Sequence, residues 1–501
     1  MSPVSSHRRV VYIIVDGMNR DALEQVMASG RAPALAFLKA HSSYVRDSVA
    51  IFPTITPAAT ASLATGEVPA RHGIPGMCWY DHDAQRYVNY GQSPRAAVVE
   101  GVSQVVQDLL FNLNGRHLSP DVATIHEKLH GLGITTASVN FMIFRGPFRN
   151  ELDPNWLERL LFFRKHKRRA VNGPKEHYFA DVITGPANAC TKLISVRGID
   201  KRIRATDGWA ACVTRELLER RAADMILFYL HENDHISHDK GPSAQVDSLA
   251  EADRHIADVL DAFDSWEQAV DEVGFVVTAD HSQTPVSDDR DDILDFNDVL
   301  DDFKLVRPNR GKEPFRHHEV AWAGNGRAVF VYLNPKRRHK LATPVVSALR
   351  QTRGIDQVLW RDGDDCVVDS ARGSLRFRPA RGGDGVADER GGRWAFEGDL
   401  AAVDGIVEDG VIATPEYPLA MWRIKSALDC HRIGDIVVTL NLGFEARDIG
   451  GGDHRGGGDH ASLHAQDSIV PFMSTLGAPP LHPSTVDVCP HIVGHFERAR
   501  S

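Results

Sequence analysis

The run Val10-Val-Tyr-Ile-Ile-Val15, closed by Asp16-Gly17, decides the fold. It is apolar throughout, with no alternation of wet and dry positions, which suits a strand covered on both faces in a parallel sheet. Thr135 to Val139, Met225 to Leu230 and Gly274 to Ala279 share the pattern. Between them Val246, Leu249, Ile256, Val259, Leu260 and Phe263 fall on one stripe of a long helix. Strand alternating with helix predicts an α/β fold, an α/β/α sandwich with a largely parallel central sheet. In such sheets ligands bind beyond the carboxyl ends of the strands. Two of the four runs end there in aspartate, Asp16 and Asp280, the second followed by His281.

Two stretches interrupt the repeat. Residues from about 85 to 215 mix aromatic, Gly/Pro and basic segments, and those from about 304 to 415 are turn-rich, with Gly382-Gly383-Asp384-Gly385 and Gly391-Gly392. Within the second, Arg327 to Leu333, a helical stretch around Val345 to Leu349, and Val358 to Trp360 predict a small β-α-β unit. The expected organisation is a catalytic core at 1–303 and 416–501, with an insertion at about 85–215, and an inserted cap domain at 304–415. Core sequence is expected to resume at Asp435 to Leu440 and to end in a Gly-rich loop, Gly450 to Gly458. The acidic Ser287 to Phe303 predicts an amphipathic helix with Ile293, Phe296, Leu300 and Phe303 on one face. Arg164-Lys-His-Lys-Arg-Arg169, after the apolar Leu160 to Phe163, predicts the polar end of another helix.

Composition narrows the function. The 501 residues are 43% apolar and 25% charged with a net charge of -10, which excludes a strongly basic nucleic-acid binder and a disordered acidic protein. No apolar run approaches the ~20 residues that span a bilayer. The N-terminus has two arginines but no apolar stretch of signal-peptide length, so an unprocessed cytoplasmic protein is expected. Six cysteines without a C-x-x-C pair are expected to be reduced, mostly buried thiols. The 24 histidines, roughly double average usage, stand beside 67 acidic residues and suit metal sites built from nitrogen and oxygen.

Thr56-Pro57 followed by an alanine-rich run and Thr65-Gly66 predicts a short helix with Thr56 as N-cap and proline at its first position. The same geometry holds a hydroxyl at the positive end of a helix dipole, where a phosphate is stabilised. Local sequence leaves capping and catalysis both open. Further along come His231-Glu-Asn-Asp234-His235-Ile-Ser-His238, with a carboxylate and an imidazole four apart, then Asp280-His281, then Gly458-Asp459-His460-Ala461-Ser462-Leu463-His464.

The order Asp16-Gly17, Phe52-Pro-Thr-Ile-Thr56-Pro57, Thr65-Gly66, Arg71-His72-Gly73-Ile74, Asp234-x-x-x-His238, Asp280-His281 and Gly458-Asp-His460 resembles the alkaline phosphatase superfamily, and within it the type I phosphodiesterase/nucleotide pyrophosphatase branch. The resemblance covers roughly 10 to 95, 220 to 300 and 415 to 475. It implies two divalent ions, zinc first and manganese or iron(II) next, one held by Asp234, His238 and His460 and the other by Asp16, Asp280, His281 and the Thr56 hydroxyl. It also implies attack by Thr56 on a small phosphodiester, phosphoanhydride or nucleotide-like substrate through a phosphothreonine intermediate, with no duplex nucleic acid as partner. A phosphomonoesterase or phosphonate hydrolase on the same site is the second reading, and an inactive binding homologue the third. Sulfatases are set aside because no C/S-x-P-x-R surrounds any cysteine, and phosphoglycerate mutases because the nucleophile position is Thr56 rather than serine. The chain departs from the family at Ala59, where an asparagine often holds a phosphate oxygen, and at Ala461, where glycine commonly follows the last histidine. His454, in the echo Gly-Gly-Asp-His, competes with His460, and the context of His464 and Asp467 to Pro471 favours His460. His72 is expected to be structural. Trp79 and Tyr80 suit either stacking on a leaving group or packing, and His231 and His235 either support Asp234 or stand by.

Overall fold

Eight strands form the central sheet of the computed structural model, which describes residues 7–152, 170–180, 182–185, 190, 206–308, 314–382 and 384–500. Their order is Ser43–Val49, Ile469–Ser474, Val273–Thr278, Arg9–Val15, Met225–Leu230, Thr136–Val139, Glu176–Phe179 and Ile183–Thr184. The middle five run parallel, and antiparallel partners close both edges, so the sheet is the largely parallel one expected. The continuous apolar runs have a direct cause. Val10, Tyr12 and Ile14 pack into one core with helices Thr56–Thr65, Ile125–Gly131 and Val488–Arg498, while Val11, Ile13 and Val15 pack into the other beneath helices Arg20–Ala28, Asp207–Glu219 and Gln245–Leu260. Both faces of the sheet are dry, as a parallel sheet under helices requires.

A second, ten-stranded sheet begins Val320–Asn325, Ala328–Leu333, Ile436–Leu440, Ile355–Asp362 and Asp365–Ser370. Strands Ala328–Leu333 and Ile355–Asp362, with helix Arg338–Gln351 between them, form the expected β-α-β segment. Ile436–Leu440, expected to belong to the core, instead lies between those two strands, with Val331 opposite Ile436 and Val358 opposite Val438. Thr136–Val139 is a parallel strand of the central sheet as expected, and Glu176–Phe179, inside the stretch 85–215 and not expected there, pairs beside it. Ser287 to Phe303 is not one helix: a 3-10 turn at Arg290–Asp292 leads into a two-residue strand, Ile293–Leu294, which pairs with Glu445–Ala446, and only Phe296–Val299 is α-helical. The apolar residues there are inward-facing as expected, with Phe296 and Leu300 fully buried, but short irregular segments deliver them. Cys190 and Cys212 are joined in a disulfide, against the expectation of six thiols, and Cys78, Cys366, Cys430 and Cys489 are free and buried. Their separation of 22 residues left no local mark in the sequence. The basic run Arg164 to Arg169 lies outside the described residues. Among the described residues no helix is long and apolar enough to cross a membrane.

Candidate active site

Register sets the site. Ile14 pairs with Thr278 and Val15 with Leu230, so Asp16, Asp280 and the helix Glu232–Lys240 all leave the sheet at one edge. Gly17, at φ 64°, makes the turn after Asp16, and its N–H donates to Asp280 Oδ1 at 3.2 Å. Asp234 and His238 stand one helical turn apart, with His238 Nε2 3.3 Å from Asp234 Oδ2. Thr56 is the first residue of helix Thr56–Thr65, whose N-cap is Ile55, and its side chain makes no capping bond. The expectation of a capping hydroxyl is corrected here: Thr56 Oγ1 lies 3.1 Å from His281 Nε2 instead. Thr54 ties this turn to the last loop, accepting the Ala461 N–H on its hydroxyl and a His460 Nδ1 bond, 2.6 Å, on its carbonyl.

Two groups of donors result. Asp16, Asp280 and His281 are buried together, with His281 Nε2 3.4 Å from Asp16 Oδ1 and 3.6 Å from Asp280 Oδ2. The Tyr229 hydroxyl donates to Asp16 Oδ2 at 2.5 Å, while Asp16 Oδ1 is buried with no hydrogen-bond partner among the described residues. In the second group His238 Nδ1 donates to the Gly458 carbonyl at 2.7 Å and His460 Nδ1 to that of Thr54. A carbonyl can only accept, so both Nδ1 atoms carry protons and both Nε2 atoms turn inward, facing each other 3.3 Å apart. Burial keeps His460 neutral with a bare lone pair on Nε2, whereas for His238 burial acts downward but Asp234 outweighs it and raises the imidazole. Nitrogens about 2.0–2.1 Å from a tetrahedral zinc would be spaced about that far. The His281 and His460 rings stack at 3.6 Å and join the groups.

Electrostatics point the same way. Burial, then the charges of Asp280 and Asp234, raise the Asp16 carboxyl well above its ordinary range, and burial raises Asp280. For Asp234 burial acts upward, but the neighbouring His238 outweighs it and the carboxyl is held low. Burial, then His281, holds His460 well below an ordinary imidazole. Crowded, buried carboxylates beside the neutral His460 imidazole are a donor set suited to cations.

All seven residues singled out, Asp16, Thr56, Asp234, His238, Asp280, His281 and His460, thus converge. His454 does not join Asp234; its Nδ1 is 2.7 Å from Glu445 Oε1 and its ring 4.2 Å from that of His238. His72 is structural, buried between the Ser62 hydroxyl and the Ile74 N–H. Trp79 and Tyr80 are buried, Trp79 bonding Tyr90, so they pack rather than stack on a ligand. His231 pairs with Asp207 at 3.1 Å, and His235 is exposed. Supporting residues escaped sequence reading. Besides Tyr229, Gln283 donates to Asp234 Oδ1 and Asn233 to the Asp16 carbonyl. Tyr229 was hidden in an apolar strand, and Asn233 and Gln283 carried no signal beyond lying beside predicted ligands.

A parallel sheet with clustered aspartates and histidines at its strand ends, facing a threonine at a helix N-terminus, defines a hydrolase of the alkaline phosphatase superfamily. The chain belongs to the type I phosphodiesterase/nucleotide pyrophosphatase family, whose model matches residues 10–462, and it is a phosphoric ester hydrolase. No curated protein matches the sequence significantly. Solved structures share the fold. Phosphonoacetate hydrolase from Sinorhizobium meliloti 1021, in complex with phosphonoformate, is 16% identical with a TM-score of 0.55, covering 99% of this chain and 97% of that one. Murine ectonucleotide pyrophosphatase/phosphodiesterase 5 is 12% identical with a TM-score of 0.53, covering 98% and 95%. An inactive variant of the murine protein, in complex with AMP, is 11% identical with a TM-score of 0.52 over the same shares.

Proposed function

We propose that the chain hydrolyses phosphodiester or phosphoanhydride bonds of small, nucleotide-like substrates through a phosphothreonine on Thr56, with two divalent ions in the site. One observation carries this reading: the Thr56 hydroxyl heads its helix without capping it and is aimed at His281 Nε2. Asp234, His238 and His460 would hold one ion, and Asp16, Asp280, His281 and Thr56 the other. The unpartnered Asp16 Oδ1 and the facing Nε2 atoms are what such ions would satisfy. Three histidines, three aspartates and no thiolate favour zinc, with manganese or iron(II) next. When bound, the ions supply positive charge that favours the threonine alkoxide and the oxygens gathering charge in the transition state.

The chain's own residues do the rest. His281, its Nδ1 donating to the Ser282 carbonyl at 3.2 Å, turns Nε2 toward the Thr56 hydroxyl, so the atom that would hold the ion also places that ion beside the nucleophile. The Thr60 hydroxyl bonds the Thr56 carbonyl at 2.5 Å and steadies the first helical turn. The helix end offers few amides to a phosphate, since Pro57 has no N–H and those of Ala58 and Ala59 both bond the Ile55 carbonyl. With alanine rather than asparagine at position 59, oxygen binding falls to the cations and to Thr56 itself. That departure favours, as the second reading, a phosphomonoester or phosphonate substrate on the same site.

The compartment follows from the thiols. A Cys190–Cys212 bond is more at home in an oxidising compartment than in the cytoplasm expected from sequence. Thiol titration of denatured protein should find four free cysteines before reduction and six after; six at both stages would restore the cytoplasmic reading.

The function is tested by Thr56→Ala. Turnover of bis-p-nitrophenyl phosphate should fall by roughly a thousandfold or more while zinc content stays at the wild-type level. Near-normal turnover would overturn the nucleophile. A panel of bis-p-nitrophenyl phosphate, p-nitrophenyl phosphate, phosphonoacetate and nucleotide pyrophosphates decides the bond, and a strong preference for the monoester or the phosphonate would replace the first reading with the second.

A further inference from the structure

Beside His238 lies a second set of buried donors that the reaction above does not use. Glu445 is fully buried on the two-residue strand Glu445–Ala446, and its two oxygens take the backbone N–H and the Nδ1 of His454 at 2.8 and 2.7 Å. Asp459, 2% exposed, sits on the strand Gly458–Asp459 that pairs with Thr284–Pro285. Its Oδ1 takes the His460 N–H at 2.8 Å, while its Oδ2 is buried with no hydrogen-bond partner among the described residues. Donor atoms of Glu445, His454 and Asp459 all lie within 4.8 Å of one another. Gly326, at φ 63°, brings its backbone against Asp459; a Cβ there would stand 2.5 Å from both carboxylate oxygens.

Two buried carboxylates, Glu445 and Asp459, share one imidazole, and a buried carboxylate oxygen without a donor is costly. One imidazole and two carboxylates at this spacing are a ligand set for a first-row divalent ion. His454 is only partly buried, its side chain 32% exposed, which leaves an entry path from solvent. We propose that Glu445, His454 and Asp459 hold a third divalent cation, manganese or zinc, next to the catalytic pair. Its consequence for the site runs through Asp459. One oxygen of that carboxylate holds the His460 amide, so a cation on the other would fix the residue that positions His460. It would also pin the glycine-rich loop 450–458, in which Gly450, Gly451 and Gly456 have positive φ and His454 is the anchor.

The test is metal content. Full-length protein is dialysed against zinc chloride or manganese chloride, desalted, and counted by mass spectrometry for wild type, Glu445→Gln and Asp280→Asn. Three equivalents per chain are expected in wild type, and two in each variant. Two in wild type and two in Glu445→Gln would overturn the third site while leaving the catalytic pair standing. Three in both would place the third ion elsewhere and equally overturn it. One in wild type, lost in Glu445→Gln and kept in Asp280→Asn, would support this site and overturn the pair. Should Glu445→Gln fail to melt cooperatively, His454→Gln replaces it under the same counts.

Discussion

Ala461 has φ 94°, a conformation that a residue with a Cβ adopts only under strain, and it is fully buried between His460 and Ser462. The glycine common at this position in the family is thereby explained in backbone terms. Ala461→Gly should relieve about 1–3 kcal/mol of strain against an entropic cost of about 0.5–1 kcal/mol. The expected net gain, roughly 1 kcal/mol, would appear as a higher urea midpoint with unchanged slope; a lower midpoint would show that Ala461 is not strained. Gly17 is the opposite case. At φ 64°, a Cβ would come within 2.7 Å of Asp234 Oδ1, so Gly17→Ala must push the carboxylate of a proposed metal ligand aside. Chelator competition should find zinc held about 10–100-fold more weakly with the circular dichroism of the wild type; unchanged affinity would mean that the turn absorbs the methyl elsewhere. The seven residues picked out in the sequence do converge, because carboxylates and imidazoles at strand ends were marked by type and position. Their partners were not legible, since whether the Thr56 hydroxyl caps its helix or faces His281 depends on a residue 225 positions away.

At the scale of elements, the strands that carry the site were legible because burial on both faces leaves an unbroken apolar run, as in Val10 to Val15 and Met225 to Leu230. The same property misplaced Ile436–Leu440. A five-residue buried strand states that it is covered, not which sheet covers it: Ala328–Leu333 and Ile355–Asp362 were expected as strands, but their pairing with Ile436–Leu440 was visible only in the fold. That sheet is tied to the site by Arg327, whose guanidinium, 1% exposed, bonds Asp467 at 2.7 and 2.8 Å, the Thr284 hydroxyl and the Leu440 carbonyl. Asp467 in turn holds the Ser462 N–H and hydroxyl, two residues beyond His460. Arg327→Ala leaves that carboxylate buried without its counter-charge. A loss of about 3–5 kcal/mol in unfolding free energy is expected, read from urea melts, together with weaker zinc binding as the His460 loop relaxes. A loss under about 1 kcal/mol would make the contact no more than a surface-type ion pair.

Over the whole molecule the histidine excess divides into two populations. Four of the 24, His238, His281, His454 and His460, are proposed ligands, whereas His72, His117, His126 and His177 are buried in the packing, and burial lowers each to about 3. A histidine lowered from 6.5 stabilises the fold fully above pH 6.5, and this contribution drains away as pH falls toward 3, because only the unfolded chain takes the proton. Buried carboxylates act in the opposite sense: burial raises Glu100 and Asp448 to about 7, so their contribution is complete below their unfolded values near 4 and is lost as pH rises through 7. Between pH 7 and 5 the two populations offset each other, so the stability of the intact protein reports neither alone. A difference between variants isolates one. His177 has no partner at either ring nitrogen among the described residues, so His177→Gln removes a single titration without breaking a hydrogen bond. Relative to wild type, the variant should gain about 1.4 kcal/mol for each pH unit below 6.5, measured from urea midpoints of metal-free protein between pH 7.5 and 5. A constant difference across that range would mean that His177 titrates in the native protein as it does in the unfolded chain.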